Sequence, residues 1–315
     1  MQITIFGAGA VGAYFGGRLA ETGQDVAFVA RGEALRAMRQ HGLRVTSTEG
    51  DFVIQPARAS DSPADLGPAD VILLGVKAWQ VPDAARAMGP LLGPDTFVVP
   101  LQNGVEAPAQ LAAVLGPERV LGGLCRILAW IAAPGEIRHE GVEPYIGFGE
   151  LAGGLSPRVE RLQQAFARCR GVTAEALEDV RAELWRKFLF IASVSGVGAV
   201  TREPIGVLRS RPETRDQLER AMREVLAVAR AHGVALPDDT VEETLAFTDT
   251  VPAEGTASMQ RDIIAGRPSE LEAQSGAVVR LGRERGVATP VHAFLYRALL
   301  PLELRSRGTI TFGAG

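Results

Sequence analysis

Three glycines and a few charged side chains are where this sequence could do chemistry. Gly7, Gly9 and Gly12 stand in ITIFGAGAVGAYFGGRLAETG, spaced G-x-G-x-x-G between an apolar run and a helical pattern. Each has a steric use. Gly7 permits a tight turn, Gly9 lets a pyrophosphate approach the backbone, and Gly12 lets helix and strand pack closely. With Ala8, Ala10 and Val11 they present the N–H groups of a helix N-terminus to phosphates. In that strand–turn–helix context the spacing points to a dinucleotide, tight packing alone being the rival account.

The next apolar run, DVAFVAR, ends on Arg31. NAD-selective proteins usually place an acid there for the ribose 2′-hydroxyl. An acid repels a 2′-phosphate, whereas a guanidinium grips it. Arg31 therefore points to NADP(H), or else is a solvated surface arginine, and Glu33 nearby weighs against the first account.

Lys77 follows DVILLGV and Asn103 follows TFVVPLQ, both at the carboxyl ends of apolar runs, with Gln80 three residues beyond Lys77. Open α/β sheets bind ligands at that edge, so a nicotinamide ribose or carboxamide fits there. Asn103-Gly104 is equally a turn pair. Lys187 lies in ELWRKFLFIASVSG, at the border of a nearly apolar helix. Partial desolvation there lowers a lysine pKa toward a value useful in proton transfer. Alternatively it snorkels to solvent beside Arg186. SMQRDIIAGRPSELE brings Ser258, Asp262 and Glu270 close in sequence, although Ser269 and Glu270 also suit a helix start.

The elements that must position these groups fall into two textures. Up to about residue 179 apolar strands alternate with helices, with a hairpin around Glu49-Gly50. That alternation predicts a mostly parallel, doubly wound α/β sheet over residues 1–179. Residues 180–315 read as an all-helical domain, with helices in VRAELWRKFLFIASVSGVGAV, RDQLERAMREVLAVARAHGV, TVEETLAFTDTV, SELEAQSGAVVRLGRERGV and VHAFLYRALLPLELR. The tail RGTITFGAG reads as loosely held.

The 315 residues are 46% hydrophobic and 22% charged, ordinary for a folded soluble protein. Net charge is −4, so no basic field invites nucleic acid or an anionic membrane. Cys125 and Cys169 are spaced for neither a zinc site nor a redox pair and read as reduced, partly buried thiols; no metal is expected. No leader-like segment precedes the first strand and no apolar run reaches spanning length, which makes the cytoplasm the default.

Five stretches together resemble the ketopantoate reductase (2-dehydropantoate 2-reductase) family: ITIFGAGAVGAYFGGRLAETG, VKAWQ, LQNGVE, LWRKFLFIASVSGVGAVTR, and SMQRDIIAGRPSELE followed by GAVVRLGRERGVATPV. They cover nearly the whole chain in the family's order. The resemblance implies a Rossmann-type domain joined to a helical substrate and dimerisation domain, with NADPH and substrate between them. It implies reduction of a 2-oxo acid to a D-2-hydroxy acid, ketopantoate to (R)-pantoate in pantothenate biosynthesis being the first candidate. By the same resemblance Gly7 to Gly12 cradle the pyrophosphate. Arg31 and Gln80 meet the 2′-phosphate end, and Lys77 and Asn103 the nicotinamide side, Asn103 also touching substrate. Lys187 is the proton donor to the carbonyl oxygen, Glu270 binds the substrate hydroxyl and tunes that lysine, and Ser258 contacts the substrate carboxylate. Homodimers are common in such relatives.

One departure stands out. Family members acting on ketopantoate carry asparagines four and eight residues after the lysine, where this chain has Ile191 and Ser195. Losing such a contact costs about 1–3 kcal/mol, so these substrate-facing positions suit a more apolar 2-oxo acid. The alternatives to ketopantoate are therefore a paralogous reductase for another branched or aromatic 2-oxo acid, or a non-catalytic NADP(H) sensor.

Overall fold

The computed structural model describes residues 1–310. Residues 311–315, the end of the Gly-rich tail, lie outside them. The chain folds as two compact units, one of Met1–Gln102 with Ala107–Arg181, the other of Asn103–Glu106 with residues 182–310.

The first unit begins β1 (Gln2–Phe6), α1 (Ala10–Glu21), β2 (Asp25–Val29), α2 (Gly32–His41), β3 (Leu43–Ser47), β4 (Phe52–Ile54), β5 (Arg58–Ser60) and β6 (Ala69–Leu74). It continues α3 (Val81–Ala87), β7 (Leu92–Pro100), α4 (Ala107–Leu115), β8 (Leu121–Arg126), β9 (Ala129–Ala133), β10 (Glu136–His139), β11 (Tyr145–Glu150), α5 (Pro157–Phe166) and β12 (Thr173–Ala176). Five strands form one all-parallel sheet in the order β5-β2-β1-β6-β7. The order reverses at β1, the switch point at which such sheets bind ligands. Both faces are covered, as period-2 strands require. Val71, Leu73, Phe97 and Val99 enter one core, while Ile72, Leu74 and Val98 enter the other.

The parallel α/β expectation therefore holds for the central sheet. Two smaller sheets, β4-β3-β10-β9 and β12-β11-β8, were not anticipated. The hairpin at Glu49-Gly50 forms, Val45 facing Phe52, but it pairs through β3 with β10 and stays outside the parallel sheet.

The second unit takes most of α6 (Val180–Thr201), then α7 (Ile205–Ser210), α8 (Pro212–Ala231), α9 (Thr240–Thr250), α10 (Ser258–Ile264), α11 (Ala277–Glu284) and α12 (Pro290–Ser306). Its core joins Trp185, Phe188, Leu189 and Ala192 of α6 to Met222 and Val225 of α8 and to Ala277 and Val278 of α11. SELEAQSGAVVRLGRERGV is not one regular helix. It opens with a π-helical turn, Glu272–Gly276, in which Gly276 N–H reaches Leu271 O at 3.0 Å. No helix among the described residues is long and apolar enough to cross a membrane. Both cysteines are buried thiols outside any disulfide among the described residues, and burial pushes the Cys169 thiol up to about 12.

The first turn of α12 is closed from α8: the Glu224 carboxylate accepts Val291 N–H at 2.7 Å and His292 N–H at 2.9 Å. His292 is wholly buried, and burial lowers its pKa from 6.5 to about 4. The fold accepts only the neutral ring, so this contribution to stability is complete above pH 6.5 and is lost as pH falls toward 4. Urea unfolding across that window is expected to show an acid loss that His292→Gln lacks, about 3 kcal/mol for this one group. Equal losses in both proteins would refute the assignment.

Candidate active site

In the first unit the glycine turn leaves β1 at Gly7, whose φ of 102° is left-handed and whose added Cβ would lie 2.7 Å from Val76 Cγ1. Gly7 N–H and Ala8 N–H both reach Val29 O at 3.2 Å, tying the turn to the end of β2. A Cβ on Gly12 would stand 2.3 Å from Gly7 O and 2.9 Å from Ile5 Cγ2, so strand and helix meet there at backbone distance. Around Gly9 the surroundings are open, Gly75 O at 3.8 Å being the nearest atom to its Cβ position. No side chain caps α1, and Ala8, Ala10 and Val11 are half-buried. An open cradle at an uncapped helix N-terminus fits a pyrophosphate.

Arg31 lies two residues beyond β2 as the N-cap of α2, and is exposed. Glu33, the acid weighed against it, is engaged by Arg36. Lys77 is exposed after β6, with its Nζ 5.9 Å from the Trp79 ring centroid. Gln80 is exposed as well, and its Oε1 accepts Lys77 N–H at 3.2 Å, so its amide folds back over this turn. Gln102 escaped the sequence reading. Its Nε2 donates to Leu74 O and Val76 O, both at 2.9 Å, lacing the ends of β6 and β7 together.

In the second unit the segment carrying Asn103 packs on the π turn. A Cβ on Gly104 would lie 3.0 Å from Ala273 O, and Glu106 pairs with Arg280 at 2.8 Å. Gly104 has φ 119° in a bend over residues 103–105, and Asn103 is half-buried. On α6, Lys187 is half-buried, while Arg186 turns to Glu183 at 2.8 Å. Ile191 and Ser195 follow at four-residue steps, which places all three on one helical face. Ile191 is half-buried against the core, and Ser195 is fully buried with its Oγ lacking a partner.

Ser258 opens α10 and is half-buried; Asp262 is paired with Arg267 at 2.9 Å. Glu270 is buried, 7% exposed. Its position is set by the preceding residue. Ser269 N–H and Oγ–H donate to Glu303 Oε2 at 3.0 and 2.5 Å, and Arg307 bonds both Glu303 Oε1, at 2.5 Å, and Ser269 O, at 3.0 Å. Glu303 was also missed, because nothing local marks the one acid of α12 as the partner of a residue 34 positions earlier. Within this unit, then, Gly104 beside Asn103 and Gly196 beside Ser195 both pack against the π turn, which begins two residues after Glu270. Among the described residues no cluster of three or more His, Cys, Asp or Glu is placed to hold a metal.

Comparison with known proteins gives a consistent answer. The family model "Ketopantoate reductase PanE/ApbA" matches residues 3–153, and "Ketopantoate reductase PanE/ApbA C terminal" matches residues 179–303. A 2-dehydropantoate 2-reductase from Mesorhizobium japonicum is 33% identical over 312 residues, covering 92% of this chain and 94% of its own. A Bacillus subtilis protein described as an uncharacterized oxidoreductase is 30% identical, over 95% of this chain and 98% of its own. The crystal structure of 2-dehydropantoate 2-reductase from Geobacter metallireducens superposes with TM-score 0.89 at 31% identity, over 96% of this chain and 99% of that one.

Proposed function

The chain belongs to the ketopantoate reductase family, oxidoreductases acting on CH–OH groups, and on that premise we propose that it reduces a 2-oxo acid to a D-2-hydroxy acid using NADPH, with ketopantoate the first substrate to test. The observation that carries this reading is the buried Glu270 turn, held by Ser269, Glu303 and Arg307 in the same unit as Lys187. A buried carboxylate is tolerated where it is paired or hydrogen-bonded, and a cationic partner such as Lys187 would meet that need.

Gly7 to Gly12 and the first turn of α1 would hold the coenzyme pyrophosphate, Arg31 its 2′-phosphate, and Lys77 its nicotinamide half. Gln80 belongs with Arg31 in this reading, its amide oxygen accepting Lys77 N–H. Bound there, the reduced coenzyme supplies a hydride to the carbonyl carbon. Lys187 stabilises the negative charge that grows on the carbonyl oxygen and delivers the proton. Glu270 accepts from the product hydroxyl and keeps Lys187 charged. Asn103, Ser195 and Ser258 orient the acid.

The test follows NADPH oxidation by purified protein with a panel of 2-oxo acids, ketopantoate among them. Turnover is expected; tight NADPH binding without turnover on any acid would make the chain a sensor instead. Arg31→Ala is expected to weaken NADPH by about tenfold or more while NADH changes little, because only the 2′-phosphate is lost to the guanidinium. Equal weakening of both coenzymes would remove Arg31 from that role. The half-buried Ile191 favours a second reading, a more apolar 2-oxo acid, which the same panel separates from the first.

A further inference from the structure

Gln274 has no exposed surface, and neither its Oε1 nor its Nε2 has a hydrogen-bond partner. Leaving one buried polar group unpaired costs about 1–3 kcal/mol, and this side chain leaves two. Such a group is retained where something else pairs with it.

Its neighbours indicate what that is. Gln274 N–H bonds Glu270 O at 3.0 Å, so the amide stands one turn beyond the proposed catalytic acid. The residue before it, Ala273, has its carbonyl oxygen 3.0 Å from the Cβ position of Gly104, next to Asn103. The residue after it, Ser275, has its Oγ 3.1 Å from the Cβ position of Gly196, next to Ser195. Gln274 is thus bracketed by two proposed substrate contacts, and the hydroxyls of Ser195 and Ser275 lack partners as it does. The π turn sits at this spot, and π-bulges are common at functional sites.

We propose that Gln274 is a specificity-determining residue, its carboxamide reading a hydroxyl carried by the 2-oxo acid beyond the reacting carbonyl; this rests on the reductase reading above. A carboxamide offers one donor group and one acceptor, and a hydroxyl answers both. Position 191 lacks the amide that the resemblance implies there, and Gln274 offers one in the same unit. A wholly apolar acid would leave Gln274 unsatisfied, whereas a 2-oxo acid carrying a hydroxyl would pair with it.

Gln274→Met keeps the length and removes the hydrogen bonding. Ketopantoate and its unhydroxylated counterpart, 3,3-dimethyl-2-oxobutanoate, are compared in wild type and variant, with NADPH binding measured in both. Wild type is expected to prefer the hydroxylated acid. The variant is expected to raise KM for it about tenfold or more, with kcat, NADPH affinity and the unhydroxylated acid within about twofold. Ile191→Asn added to Gln274→Met is expected to restore the preference, which a merely structural role would not do. Equal change on both acids, or a more stable variant with unaltered kinetics (an internal water being the amide's partner), overturns the inference and leaves the reductase reading standing. No turnover of any 2-oxo acid by wild type overturns both.

Discussion

Lys187→Ala is expected to lower kcat for 2-oxo acid reduction by about 10²-fold or more while NADPH affinity moves by less than about threefold. α6 holds this position firmly. Trp185 and Phe188 on either side are buried, with ring centroids 5.7 Å apart, and Arg186 is turned to Glu183. Lys187 itself is half-buried and outside the core, so truncation opens no large cavity and the variant is expected to fold with near-native stability. On the proposed mechanism it loses the cation that meets the carbonyl oxygen as hydride addition makes it an alkoxide. Partial recovery of turnover with an added primary alkylamine would identify the lost function as proton donation. Wild-type turnover in Lys187→Ala would leave the proposed mechanism without its acid.

How much of this was legible in sequence depends on how local the cause is. The glycine turn is set by contacts within one strand–turn–helix, Gly12 against Gly7 and Ile5, so three letters and their spacing carry it. The apolar runs at Val71–Leu74 and Thr96–Val99 announce strands buried on both faces because that burial removes the polar alternation. The two small sheets have no such signature. Ile137 pairs with Val45 and Cys125 with Ile146, and no local pattern names a partner that far along the chain.

The candidate site divides in the same way. Lys187, Ile191 and Ser195 share a face by helical arithmetic alone, and Glu270 is visible as an acid at a loop–helix junction. Gln102, Gln274 and Glu303 are ordinary letters until the fold surrounds them. The π turn is likewise hidden: its Leu271–Gly276 bond spans one residue more than the α-helical step, which a 3.6-residue reading passes over. The polar residues that position the site act through tertiary partners, and those partners are what a single sequence lacks.

Glu303 is where that distinction becomes measurable. Glu303→Ala is expected to destabilise the protein by about 4 kcal/mol, because Ser269 N–H and Oγ–H, both buried, lose their acceptor at about 1–3 kcal/mol each and Arg307 loses its carboxylate. The same change releases the turn carrying Glu270. At a temperature where the variant is still folded, kcat is expected to fall by about tenfold or more with NADPH affinity unchanged, since the glycine cradle and Arg31 belong to the other unit. A misplacement of about 1 Å at a reacting group is enough for such a loss. Glu303→Asp, which keeps the carboxylate on a shorter arm, is expected to recover part of kcat, whereas a purely structural role would tie activity to the folded fraction alone. If folded Glu303→Ala turns over at the wild-type rate, Ser269 and Arg307 do not position Glu270, and the cause of its placement must be sought within the π turn itself.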